Sequence, residues 1–218
     1  MRDLIFDTSS VITISLNNLD GKLYQLKQLS NGRFLITREV KEELVDRPLH
    51  GKKYKLEALQ INRLIKSKVL EINNKEINID SVLNLVNNIY FSNGKPIKII
   101  SKGELQALIL AVELNGVLVV DERTMRMLVE DPESLMELLE KKLHTKISTD
   151  NDNLSKFKKI ISKVDIIRSC ELMLIAYEKG FFDSLGDKKQ VLDGLLWGLR
   201  LRGCSISGRE IDEIEMMY

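Results

Sequence analysis

Residues 101–123 read SKGELQALILAVELNGVLVVDER, and the order of features in this stretch decides the fold class. Ser101 followed three residues later by Glu104 has the form of a capping box opening a helix. Leu105, Leu108, Ile109 and Val112 then fall at i, i+3, i+4 and i+7, one face of an amphipathic helix. Asn115-Gly116 closes that helix, and Val117 to Val120 is an apolar run that reads as a buried strand ending at Asp121.

Working outward, the same alternation recurs. Leu4-Ile5-Phe6 is a buried strand ending at Asp7, and Val11 to Leu16 begins a helix after a turn. Arg33 to Thr37 is a second strand, followed by a short helix over Glu39 to Val45 that is capped near Thr37 or Arg38 and ended by Pro48. Residues 57–68 have helical spacing, with Leu56, Ile61, Leu64 and Ile65 on one side. Val69 to Ile72 is a short strand, Asp80 caps a helix running through Ile89, and Asn93 to Pro96 is a turn. Beyond Asp121 a helix runs through Val129, and Asp131-Pro132 restarts one with proline at its first position. From about residue 150 the pattern is helical only, over roughly 154–163, 165–178, 187–202 and 207–217. Alternating strands and helices predict a three-layer α/β fold, a central mostly parallel sheet of about five strands flanked by helices. Residues 1–150 form the expected core, and 151–218 a C-terminal helical extension completing or packing on it.

The bulk numbers narrow the function classes. Of 218 residues 44% are hydrophobic, too many for a disordered chain. Lys and Arg total 33 against 32 for Asp and Glu, so any nucleic-acid contact must come from local patches. Cys170 and Cys204 form neither a disulfide framework nor a metal-site spacing and read as reduced thiols. No signal peptide is visible and no apolar stretch is long enough to cross a bilayer, so a cytoplasmic protein with no membrane partner is expected.

Four acids stand at positions that could meet. Asp7 and Asp121 each end a strand, and in an open parallel sheet ligands bind beyond the carboxyl ends of the strands, where strand order reverses. Glu104 lies in the first turn of the helix before the Asp121 strand, and Glu43 on the short helix after the second strand. Carboxylates converging on one crevice repel unless a cation sits among them, and hard oxygen ligands suit Mg²⁺ or Mn²⁺. Such a site can activate water for phosphodiester hydrolysis. No His, Cys or Lys is placed to suggest a different chemistry. Each acid also has a plain structural role open to it. Asp7 can begin a turn, Glu104 can complete the capping box, Glu43 can belong to a solvated charged run, and Asp121-Glu122 can cap the next helix.

Taken in order, these pieces resemble the PIN domain, nearly end to end. LIFDTSS matches the family's first strand, with Asp7 and a small hydroxyl residue, Ser9, two on. Val40-Lys-Glu-Glu43-Leu44 matches its Val-x-x-Glu-Leu helix, SKGELQALILA its Gly-Glu helix, and LVVDERTMR its strand into two acids with basic residues after them. The tail, IAYEKGFF…LLWGLRLRGCSISGREID, looks like the helical ending of archaeal and bacterial members. The resemblance implies a metal-dependent endoribonuclease using Mg²⁺ or Mn²⁺. Asp7, Glu43, Glu104 and Asp121 would be its catalytic metal-binding acids, Glu122 a further ligand, and Ser9 and Arg123 substrate contacts. Asp150 is a weaker candidate for another acid. It implies RNA as partner, an antitoxin protein if the chain is the toxin of a toxin–antitoxin pair, and pairing into a homodimer. A PIN scaffold that binds RNA or protein without cleaving is the alternative. A phospho-receiver is disfavoured because Thr8, not a second acid, follows Asp7.

Two further features bear on partners. Residues 47–75 hold eight basic residues against two acids, with Lys52, Lys53 and Lys55 clustered around Tyr54. This reads either as a phosphate-binding patch with a stacking aromatic or as a solvated lysine-rich face. The helix from Lys188 to Arg202 is apolar around most of its circumference, so it is expected to be buried on more than one side, by the C-terminal helix or by a second copy of the chain.

Overall fold

The computed structural model describes residues 2–218. The chain runs β1 (Leu4–Phe6), α1 (Thr8–Leu16), α2 (Asp20–Leu29), β2 (Phe34–Ile36), α3 (Arg38–Lys41), a π-helical turn (Glu42–Asp46), α4 (Arg47–Leu49), α5 (Lys55–Lys66) and β3 (Glu71–Ile72). It continues through α6 (Asp80–Val86), β4 (Tyr90–Ser92), β5 (Lys95–Pro96), α7 (Lys102–Glu113), β6 (Val117–Val119), α8 (Arg123–Glu130), α9 (Pro132–Leu143), β7 (Ile147–Thr149) and α10 (Asn151–Ile160). It ends with β8 (Asp165–Ile167), α11 (Ser169–Glu178), a 3₁₀ turn (Asp183–Leu185), α12 (Lys188–Leu201) and α13 (Gly208–Glu215).

Five strands form the central sheet in the order β3-β2-β1-β6-β8, all parallel. The chain builds outward from β1 to β2 and β3, then crosses back to lay β6 and β8 on the other side. Strand order therefore reverses between β1 and β6, and in open sheets of this kind ligands bind beyond the carboxyl ends of the strands at that point. Alternate side chains of each strand enter opposite layers, as a period of two requires. Leu4, Phe6, Phe34, Ile36 and Val119 pack with α1, α2, α5, α11 and α12, whereas Ile5, Leu35, Leu118 and Val120 pack with α7 and α9. The three-layer α/β architecture is the one expected.

The α7–β6 unit shows how local sequence sets this up. Asn115 takes a left-handed φ of 47°, which reverses the chain after α7. A Cβ on Gly116 would stand 2.3 Å from Ile5 Cδ1 and 2.9 Å from the Asp3 carbonyl, so only glycine lets β6 enter beside β1.

Four expectations need correction. Residues 165–167 are strand β8 rather than the start of a helix, so the segment after residue 150 contributes a sheet strand as well as helices. Three apolar-leaning residues running into an apolar helix carry too little periodicity to separate the two. A second, antiparallel sheet, β5-β4-β7, was also not expected. Its strands are two or three residues long, and its hairpin turns at Asn93 and Gly94, both with positive φ. Pro48 does not end the helix before it. The π-helical turn precedes it and places Pro48 in a first-turn position, where no backbone N–H is needed. Leu56 is exposed on α5, whose buried side is Ala58, Ile61 and Leu64. On α12, Leu192, Leu195, Leu196 and Leu199 are buried against the body while Trp197 and Leu201 reach the surface. Cys170 and Cys204 are buried free thiols. Among the described residues no helix is long and apolar enough to cross a membrane.

Arg168, at the β8–α11 junction, fastens the C-terminal tail. Its guanidinium donates to Glu171 Oε1 (2.7 Å from Nε), to the Ser205 carbonyl (3.2 Å) and to Glu210 Oε1 (2.7 Å). Arg168→Ala removes a buried donor set that joins three segments. It should lower the unfolding free energy by on the order of 2 kcal/mol, read as a reduced urea midpoint at unchanged m value.

Candidate active site

Asp7 follows β1 directly and is the N-cap of α1. Its Oδ2 accepts both the backbone N–H of Ser9 (3.1 Å) and the Ser9 hydroxyl (2.8 Å). Its Oδ1 is buried and has no hydrogen-bond partner, in a residue only 2% exposed. Burial pushes the Asp7 carboxyl up to about 6, the Ser9 bonds oppose that rise, and the charge of Glu104 adds to it. The Ser9 hydroxyl also accepts from the backbone N–H of Asp121 (3.0 Å), so one side chain ties the ends of β1 and β6 together.

Glu43 lies in the π-helical turn, a wide backbone form that often marks functional positions. Thr8 donates its hydroxyl to Glu43 Oε2 at 2.7 Å, which sets this carboxylate beside the first turn of α1. A Cβ built on Gly103 would lie 3.4 Å from Glu43 Oε1 and 3.7 Å from Glu39 Cβ. Glu43 and Glu39 thus pack at ordinary contact distance against the start of α7. Glu104 completes the capping box: its Oε2 accepts from the Ser101 N–H at 2.6 Å, and its own N–H donates to Ser101 Oγ at 3.3 Å. The capping role is real, and it leaves Glu104 near enough to raise the Asp7 pKa. Asp7, Glu43 and Glu104 therefore lie near one another around the start of α1, and each has one carboxylate oxygen that accepts no hydrogen bond among the described residues.

The Asp121 carboxylate is held differently. It is fully buried, and both its oxygens are taken: Ser169 donates its N–H to Oδ1 (2.7 Å) and its hydroxyl to Oδ2 (2.6 Å). Burial raises its pKa, and the Ser169 bonds oppose the rise. The side chain anchors the start of α11. Glu122 is the N-cap of α8, accepting from the Met125 N–H at 2.7 Å, and Asp150 the N-cap of α10, accepting from Asn153 N–H at 2.9 Å. Arg123 is exposed and lines a hollow shared with Arg126, Arg200 and Ser205. Lys52 and Lys53 on the turn leading into α5 and Lys55 at its first position are exposed, with Lys53 Nζ 4.7 Å from the centre of the Tyr54 ring.

Among the described residues no three His, Cys, Asp or Glu side chains form a cage for one cation. Of the acids at this end of the sheet, Asp7 alone has a buried carboxylate oxygen without a partner, the kind of atom that a hard cation would satisfy, and Glu43 and Glu104 are the acids beside it that could share such an ion. Each Asp121 oxygen already accepts one Ser169 bond, so neither is an orphaned atom. Thr8, Gly103 and Ser169 were not singled out from sequence. Gly103 had a legible signal in the Gly-Glu pair, but the Thr8–Glu43 and Ser169–Asp121 contacts join residues 35 and 48 positions apart and left none.

The two strand-end acids should respond oppositely to substitution. An acid whose folded pKa of about 6 exceeds its ordinary 3.8 destabilises the fold wherever it is ionised. That penalty is absent below pH 3.8, grows as pH rises through about 6, and is complete above it. Asp7→Asn should therefore raise the unfolding free energy at pH 7.5 by on the order of 2 kcal/mol, with the gain vanishing by about pH 4. Asp121→Ala should lower it by a similar amount, since it strips two donors at the start of a helix. Chemical denaturation across pH reads both.

Residues 3–132 match a family model described as a PIN domain. Neither the curated proteins nor the solved structures gave a match. The matched span covers more than half of the chain and takes in Asp7, Glu43, Glu104 and Asp121, and the chain belongs to the PIN-domain family.

Proposed function

We propose that the chain is a divalent-metal-dependent endoribonuclease whose reacting centre is the edge formed by Asp7, Glu43 and Glu104. PIN domains are in general nucleases, and the family membership supports that much directly. The observation that carries the finer reading is the Asp7 carboxylate, buried at the carboxyl end of the central strand with one oxygen unpartnered and its pKa pushed up to about 6. Capping α1 uses only one of its oxygens, and a neighbouring cation would satisfy the other.

Asp7, Glu43 and Glu104 would hold Mg²⁺ or Mn²⁺, which supplies polarisation of a phosphate oxygen and a water of lowered pKa. Ser9 fixes the Asp7 carboxylate through Oδ2, which keeps Oδ1 directed away from its own helix cap. Thr8 holds Glu43 in the same manner. Glu104 keeps one oxygen on its capping bond and has the other free. Above about pH 6 Asp7 is ionised and ready to bind, so both metal affinity and cleavage fall as pH drops below that value. Arg123 and the Lys52, Lys53 and Lys55 cluster supply positive charge for the RNA backbone. A role as the toxin of a toxin–antitoxin pair fits the same chemistry.

A second reading, a PIN scaffold that binds RNA or protein without cutting, draws on one observation: both oxygens of Asp121 are engaged by Ser169, which leaves three acids rather than four at the crevice.

Incubating single-stranded RNA with the wild-type chain and with Asp7→Asn separates the two. Cleavage that needs Mn²⁺ or Mg²⁺ and drops at least about a hundredfold in Asp7→Asn supports the nuclease, since removing a group that stabilises transition-state charge costs that much. RNA that is bound and left intact by the wild type with Mn²⁺ supports the scaffold. Charge reversal at Lys52, Lys53 and Lys55 should weaken binding alike for all sequences and flatten its salt dependence. An unchanged salt slope by filter binding would return these lysines to a solvated face.

A further inference from the structure

A cavity of about 400 Å³ opens beside the acid edge, between the start of α3, the segment 73–80 and α7. This falls within the range of roughly 300–1,000 Å³ typical of small-ligand sites. It is continuous with the acids through shared elements. Thr37 and Glu39 line it, Glu39 packs against the Gly103 position that also meets Glu43, and Gln106 lies one helical turn beyond Gly103.

Gln106 is the anomaly in this cavity. It is 7% exposed, its Oε1 is buried, and that oxygen has no hydrogen-bond partner. Its neighbours on α7, Leu105, Ala107, Leu108 and Leu110, are all apolar and fully buried. Nothing in the packing of the helix calls for an amide at this position. Side-chain amides present a donor and an acceptor side by side, the pattern that pairs with the edge of a nucleobase. The charges around the cavity point the same way. Arg38, Lys75 and Lys102 are matched by Glu39, Glu76 and Asp80, so the lining is neutral and suits an uncharged base better than a phosphate. Lys75 is moreover engaged by Glu113 at 2.7 Å, while Arg38 and Lys102 have no ion pair among the described residues and can meet the phosphate next to a bound base.

We propose that this cavity receives one nucleobase of the substrate strand and that Gln106 is the residue that reads it. The proposal deepens the nuclease reading and rests on it, since the base enters as part of a strand crossing the neighbouring carboxylates.

The test uses the full chain labelled with ¹⁵N and titrated with AMP, CMP, GMP and UMP, following the Gln106 side-chain amide, identified by its disappearance in Gln106→Leu. Saturable movement of that signal with at least one nucleotide, and none with ribose 5-phosphate, is expected. A signal that ignores all four nucleotides, or moves equally with ribose 5-phosphate, overturns the proposal. In parallel, wild type and Gln106→Leu cut a randomised RNA pool with Mn²⁺. The base preference at one position next to the cut should flatten by about fivefold or more in the variant, the size of one lost base contact. Its melting temperature should be equal or higher, because the substitution removes a buried unpartnered polar atom. An unchanged cleavage pattern in a folded Gln106→Leu overturns the base reader and leaves the nuclease standing. A wild type that moves the Gln106 signal with nucleotides and cuts no RNA supports the base site and overturns only the nuclease.

Discussion

The pairing of β1 with β6 is the constraint on which the rest of this molecule hangs. It places Leu4 opposite Val117, Ile5 opposite Leu118 and Phe6 opposite Val119, in the middle of a five-stranded sheet. Two small residues permit it. Gly116 clears the space for β6 to enter beside Asp3 and Ile5, and at the other end the Ser9 hydroxyl spans from the Asp7 carboxylate to the Asp121 backbone. The same bond that closes the sheet holds one oxygen of Asp7, and so determines which oxygen is left without a partner. One hydroxyl group thus serves both the strand pairing and the orientation of the Asp7 carboxylate.

Acids at strand ends and helix starts carry two meanings that the sequence cannot separate. Asp7, Glu122 and Asp150 are all helix N-caps, and Glu104 is the third residue of a capping box. Capping uses one carboxylate oxygen and leaves the second to its surroundings. At Asp150 and Glu122 the side chain is partly solvated, so nothing is stored. At Asp7 the second oxygen is enclosed by protein and has no partner, which sets this cap apart from the other two. Asp121 is the opposite case, with both oxygens satisfied by Ser169.

The three-layer fold was legible because apolar runs ending in acids alternate with helical spacing, and because Gly116 and Pro132 punctuate at the expected places. Asp7, Glu43, Glu104 and Asp121 were read from the sequence as an ordered set, and the positions of all four at strand ends and helix starts were legible. The relation of Glu43 to Thr8 and Gly103 depends on a π-helical turn, which leaves no periodic trace in the sequence and lets the helix continue past Pro48. Strand β8 was illegible for a similar reason. Its three residues owe their extended form to pairing with β6, a partner more than forty positions away, and not to any local preference.

That late strand has a consequence for how the chain comes into being. Until Asp165–Ile167 arrives, β6 is the rim of the sheet, with a row of open backbone N–H and C=O groups and apolar residues on both faces. Such a rim is a template for another chain's strand. During synthesis, more than forty residues of α8, α9, β7 and α10 must leave the ribosome before the rim is covered. Only then does Ser169 reach Asp121 and Arg168 gather the tail. The open rim of β6 thus belongs to a window of elongation, after which β3 and β8 are the edges of the sheet.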